Sequence, residues 1–222
     1  MFRLEIFFIF STLAATGQSL TCKRCYLLDS VTCTGFNEVC QPGYVCASRL
    51  TISFIGSSIY QVFQRFCAPQ AECNVTGTFT DEIGKNKIAT TCCNTDSCTP
   101  TAPKLPDSSS QPNGVWCQQC ISWDKSSCTG GLVKCTGEES KCFMESSKES
   151  TGSQTVYSSK RGCASIGYCN KMNTTSDTGV VQKENTITCT NGVPNYIATV
   201  TVRNAVPTTC LLLLFGFSTI YL

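Results

Sequence analysis

The stretches LTCKRCYLLDSVTCTGFNEVCQPGYVC (Leu20–Cys46) and VWCQQCISWDKSSCTGGLVKCTGEESKC (Val115–Cys142) place their cysteines at nearly the same steps. In the first ladder Cys22, Cys25, Cys33, Cys40 and Cys46 are followed by Cys67, Cys73, the neighbours Cys92 and Cys93, and Cys98. The second runs Cys117, Cys120, Cys128, Cys135, Cys142, Cys163, Cys169 and Cys189. Successive steps are 3, 8, 7, 6, 21, 6 and 19 residues in one and 3, 8, 7, 7, 21, 6 and 20 in the other. Agreement over seven consecutive intervals marks an internal duplication.

With 19 cysteines in 222 residues, the chain has the composition of a disulfide scaffold. Each ladder spans about 75 residues, too few for a comfortable core without cross-links. Disulfides supply the missing stability at roughly 2–4 kcal/mol each and persist in an oxidising compartment. Extracellular location follows. The net charge of +2 offers no basic run for nucleic acid. Histidine is absent, which removes the commonest general base and the commonest zinc ligand.

Residues 1–19 read as a secretory signal: Arg3 gives the early positive charge, Ile6–Ala15 the apolar run, and Ala15 and Gly17 a small-residue cleavage region. The apolar run is short for a membrane anchor, the alternative reading. At the other end, Cys210–Leu222 is a second apolar run, preceded by a spacer with Arg203 as its charge. Small residue, spacer and terminal apolar tail together predict glycosylphosphatidylinositol (GPI) attachment, with 192–222 as the propeptide. A single-pass helix is the competing reading, but the run falls short of the ~20 residues a span needs. Asn191 and Asn204 both begin suitable small-residue triplets, and the sequence leans to Asn191. The odd cysteine, Cys210, lies in the tail, so the two ladders keep even counts.

Between the ends, 99–114 (TPTAPKLPDSSSQPNG) reads as a Pro/Ser-rich linker separating domains at 20–98 and 115–191. Arg49–Phe54 alternates, Gly56-Ser57-Ser58 supplies a turn, and Ile59–Cys67 returns as β-branched and aromatic residues, which predicts a hairpin. Lys141–Cys163 is its counterpart around Gly152, and Val75–Cys92 suggests a third hairpin turning near Gly84.

The first ladder resembles the ten-cysteine domain of the lymphocyte-antigen-six/urokinase-receptor family, in cysteine order and spacing, the vicinal pair and Asp96. Thr99 departs from the family's usual asparagine after the last cysteine. The resemblance implies an all-β, disulfide-rich fold of two tandem three-finger domains, each three hairpins on a disulfide-knotted palm. It also implies the pairing Cys22–Cys46, Cys25–Cys33, Cys40–Cys67, Cys73–Cys92 and Cys93–Cys98 in the first domain. In the second it implies Cys117–Cys142, Cys120–Cys128, Cys135–Cys163 and Cys169–Cys189. There the final pair is missing on both sides, since Thr190-Asn191-Gly192-Val193-Pro194 stands in its place. A looser C-terminal edge is expected. Multi-domain members of this kind bind proteins and do not catalyse.

The Cys22-x2-Cys25 and Cys117-x2-Cys120 spacings lack the context of a redox or zinc site and read as structural. Asn74 and Asn173 begin N-glycosylation sequons. The first domain's middle finger concentrates Phe54, Ile55, Ile59, Tyr60, Val62, Phe63 and Phe66, whereas its counterpart reads Ser150-Thr151-Gly152-Ser153-Gln154-Thr155. Not all of these apolar groups fit inside one thin sheet. Phe54, Ile55 and Ile59 near the tip are the expected contacts to a protein ligand or surface receptor; packing on the second domain is the alternative. The sequence thus reads as a GPI-anchored protein on the extracellular face of the cell membrane, without cofactor, metal or catalytic residues. The alternative is a secreted inhibitor resembling the gamma-type phospholipase inhibitors.

Overall fold

The computed structural model describes residues 19–194 except 172 and 178. The signal segment up to Gln18, Asn204 and Cys210 lie outside the described residues. In the first repeat, β1 (Thr21–Leu28) and β2 (Phe36–Val39) form one finger, and β3 (Tyr44–Ile55) and β4 (Ser58–Pro69) the second. β5 (Thr76–Thr80) and β6 (Lys85–Cys93) form the third. The second repeat has β7 (Pro112–Gln118), β8 (Cys120–Ser122) and β9 (Leu132–Thr136), then the long hairpin β10 (Lys141–Thr151) and β11 (Gln154–Ala164). A single helical turn α1 (Ile166–Cys169), β12 (Thr174–Asp177), β13 (Val181–Asn191) and β14 (Val193–Pro194) complete it. The fold is all-β, as two tandem three-finger domains require.

Both middle fingers close with a glycine at the first turn position, Gly56 and Gly152, each at φ +58°. That left-handed backbone matches the right-handed strand twist in a two-residue turn and costs a glycine least. The palms are sulfur cores. Cys22, Cys40 and Cys46 are buried together in the first, and Cys117, Cys135 and Cys163 in the second. Nine disulfides join Cys22–Cys46, Cys25–Cys33, Cys40–Cys67, Cys73–Cys92, Cys93–Cys98, Cys117–Cys142, Cys120–Cys128, Cys135–Cys163 and Cys169–Cys189.

The two domains share one sheet. Thr80 pairs with Cys163 and Phe79 with Ala164, so the strand order β12-β13-β10-β11-β5-β6-β3-β4-β1-β2 crosses from one repeat to the other without a break. Ser165 N–H donates to Thr78 O, and Thr78 N–H to Ser165 Oγ, both at 2.9 Å. Glycine permits the approach: a Cβ on Gly162 would stand 1.8 Å from Thr80 O, and one on Gly167 2.0 Å from Thr76 O. Over this joint Phe79 of the first domain stacks on Tyr168 at 4.5 Å and meets Phe143 edge-on at 5.8 Å. Lys160 Nζ lies 4.5 Å from the Phe79 ring centre.

Two segments carry more structure than the sequence suggests. The linker lies along the first domain: Leu105 packs on the Cys33, Leu50 and Phe63 cluster, and Pro103 is buried. Strand β7 begins at Pro112, inside the stretch read as linker, because proline is tolerated at the first position of a strand. At the second domain's C-terminal edge Val193 pairs with Trp116 and Pro194 with Val115. Backbone pairing therefore stands where the first domain has Cys93–Cys98. In the first domain the equivalent contacts are Thr21 N–H to Asp96 Oδ1, at 2.7 Å, and Ser97 N–H to Thr21 O, at 2.9 Å.

Candidate protein-binding surface

The hairpin register sorts the middle finger's apolar residues into two faces. Phe54 and Ile59 are directly paired and share a face with Leu50, Ile52 and Phe63, whereas Ile55 lies opposite with Tyr60 and Val62. The first face is covered at its root. Phe63 is fully buried beneath the Cys25–Cys33 disulfide and Leu105, while Ile59 at the tip is 64% exposed. Ile55 is 37% exposed and Phe54 half-buried, with Lys87 Nζ 6.0 Å from its ring centre. The three nominated residues thus ring the tip from both sides and do not form a single patch.

On the second face the apolar surface runs onto the neighbouring finger. Leu28 pairs with Val62, and Tyr26, Leu28, Phe36 and Tyr60 are all exposed. Sequence reading missed this first finger. The signal was there: the eight-residue step between bonded Cys25 and Cys33 holds Tyr26, Leu27, Leu28 and Val31, too short a loop to bury them all.

The second domain docks through β5, at the third finger. Among the described residues, no hydrogen bond, ion pair or ring contact joins Phe54, Ile55 or Ile59 to it. Its own middle finger is polar at the tip, where the Ser150 and Thr155 hydroxyls lie 3.0 Å apart.

Two shielded carboxylates lie near the joint: Glu139 reaches across it to Thr80, and Glu145 holds Tyr168 and two lysines within the second domain. Burial alone would raise the pKa of Glu145, but Lys160 and Lys171 overcome it, with hydrogen bonds from Lys171 and the Tyr168 hydroxyl, and hold the group at about 2. Glu139, fully buried, is pushed up by desolvation, against the pull of Lys85 and the Thr80 hydroxyl 2.9 Å away. Lys85 is in turn pushed down by burial; it donates to Ser109 O and to Thr136 Oγ1 at 2.7 Å each. Cys22, Cys40 and Cys67, and likewise Cys117, Cys135 and Cys163, bring their sulfurs within 4.8 Å of one another. All six are disulfide-bonded, so none is a thiolate able to hold a metal.

Asn74 is exposed, at φ +59°. Asn173 is exposed too, and its Oδ1 accepts the Ile187 N–H at 2.8 Å, leaving the amide nitrogen outward. Asn191 ends β13, its Oδ1 accepting from Lys141 Nζ at 2.6 Å.

The u-PAR/Ly-6 domain model matches residues 18–101 and again 113–193. The chain belongs to the u-PAR/Ly-6 family. Among solved structures, a crystal structure of mouse TEX101 is similar at 17% identity, covering 77% of this chain and 99% of that one, with a TM-score of 0.31. No curated protein matches. The two u-PAR/Ly-6 domains are unequal copies: the first carries an apolar middle-finger tip, and the second a polar one and an edge closed by backbone pairing.

Proposed function

We propose that this is a GPI-anchored, non-catalytic cell-surface glycoprotein that binds an extracellular protein through the first domain's fingers. The observation that carries the reading is the apolar middle-finger tip, with Ile59 64% exposed, left uncovered by the second domain. Exposed apolar groups on a rigid support commonly mark interaction sites. Among the described residues, no helix is long and apolar enough to cross a membrane. Attachment at Asn191 would remove β14 and its pairing with Val115 and Trp116; attachment at Asn204 keeps it, and we favour Asn204 for that reason. Glycans at Asn74 and Asn173 complete the surface protein.

Release of the protein from intact cells by phosphatidylinositol-specific phospholipase C tests the anchor. A protein that is secreted freely and never cell-bound would support the inhibitor reading instead. Binding is tested with the soluble ectodomain and its F54S/I55S/I59S variant on candidate partner-bearing cells. The variant is expected to lose at least about 30-fold in apparent affinity, the size of one interface hot spot, while secretion is unchanged. Equal binding by the two proteins overturns the assignment.

A further inference from the structure

At the domain joint, a groove of about 300 Å³ opens on the face of the shared sheet. Its floor is made by Ser147, Ser158 and Asn185 of the second domain, all half-buried. One wall carries Trp123, 74% exposed, and the other carries Ile83, 50% exposed, from the first domain's third finger. The walls are tied together: Ile121 N–H donates to Glu82 Oε2 at 3.1 Å, across the two domains. The groove exists only because the domains are docked.

Its charged side chains are already engaged within the protein. Asp81 Oδ1 accepts the Ile83 and Gly84 N–H groups, Lys160 pairs with Glu145 at 3.2 Å, and Lys183 faces Glu149 at 3.7 Å. What remains is uncharged. Asn185 donates to Thr174 Oγ1, but among the described residues the Ser147 and Ser158 hydroxyls make no hydrogen bond within the protein. Strand addition by a peptide is blocked on this floor, because β10 is hydrogen-bonded along its length to both β11 and β13.

We propose that this groove binds an uncharged saccharide, with a sugar ring against Trp123 and its hydroxyls bonded to Ser147, Ser158 and Asn185. A sugar ring has apolar C–H faces that suit an exposed indole and a rim of hydroxyls that suits serine and amide groups. An anionic ligand would find both lysines of the lining already paired with carboxylates, and a cationic one would find Asp81 buried and bonded to two backbone N–H groups. Buried or half-buried polar groups that point at a ligand fix its orientation, while the aromatic surface supplies the contact area.

The test uses the secreted, glycosidase-trimmed protein with three neutral probes, chitotriose, N-acetyllactosamine and mannotriose, and a heparin disaccharide as the charged comparator. Binding is read by saturation-transfer NMR on the saccharide and by tryptophan emission; the chain has two tryptophans, and Trp116 is only half-exposed. At least one neutral probe is expected to bind with a Kd of roughly 1 mM or tighter. Trp123→Ala should abolish that signal, and the S147A/S158A variant should weaken it about 5–10-fold or more. The proposal is overturned by silence from all three neutral probes up to ~10 mM, by tighter binding of the charged disaccharide, or by unchanged binding in Trp123→Ala. It is equally overturned if peptide selection yields Trp123-dependent binders while the saccharides stay inert.

Discussion

Replacing Phe79 by alanine tests whether the two domains unfold as one body. The ring belongs to the first domain, is 7% exposed, and contacts Phe143 and Tyr168 of the second at 5.8 and 4.5 Å. Truncating a buried phenylalanine costs about 3–5 kcal/mol, from lost transfer free energy and the cavity left behind. At roughly 2–4 °C per kcal/mol for a chain of this size, the melting temperature should fall by about 6–20 °C. The ring pairs add their own share, so a double-mutant cycle of Phe79→Ala with Tyr168→Leu should show coupling of about 0.5–1.5 kcal/mol. The assay is denaturant unfolding with disulfides intact, followed by circular dichroism and by tryptophan emission, which reports the second domain alone because both tryptophans lie there. Coincident transitions, both shifted by the substitution, are expected. If the tryptophan signal kept its midpoint while circular dichroism showed an earlier, separate transition, the shared-core reasoning would be refuted.

Acid should weaken the protein through Glu145. Its folded pKa is about 2 against an ordinary 4.5, so its stabilisation is complete above about pH 4.5 and is lost as pH falls toward 2. A difference of 2.5 units corresponds to roughly 3 kcal/mol at most, and Glu145→Gln should flatten the stability profile in that window while lowering stability at neutral pH. A midpoint in the variant that still falls equally from pH 4.5 to 2 would exclude Glu145 as the source. Glu139 has the opposite sign: its raised pKa stabilises the protonated form and loses that contribution as pH rises through it. Removing the Cys93–Cys98 bond as C93S/C98S should cost about 2 kcal/mol, the loop-closure value for so short a ring. The variant should still fold, since the Asp96 and Ser97 contacts to Thr21 do for the first domain what β14 does for the second. Failure of its secretion would show that backbone closure is insufficient there.

Cysteine spacing carried the fold class because nine cross-links leave little freedom for chains this short. The joint was hidden because it depends on register between β5 and β11, strands about eighty residues apart, and on the absence of side chains. Nothing in the local pattern of Gly162 or Gly167 says that a carbonyl of the other domain lies where a Cβ would be. The linker misled for a related reason: proline and serine report a lack of regular structure, and Leu105 is nonetheless anchored on Phe63. The apolar finger was legible in composition but not in exposure. Ile59 and Phe63 lie on one face of the hairpin, yet one is mostly exposed and the other fully buried, because the disulfide of the first finger and the linker cover only the root.

The unbroken sheet has a consequence for whatever the fingers hold. A hinged pair of modules must give up orientational freedom when a partner engages both, and that entropy is subtracted from affinity. Here the first domain's finger tips and the saccharide groove are fixed in distance and direction before any encounter, by the strand pair Phe79–Thr80 and Cys163–Ala164. A glycosylated partner able to span both would meet its second contact at a high effective concentration; one with the wrong spacing would gain nothing from it. The joint would thus act as a ruler, selecting partners by geometry as well as by surface chemistry.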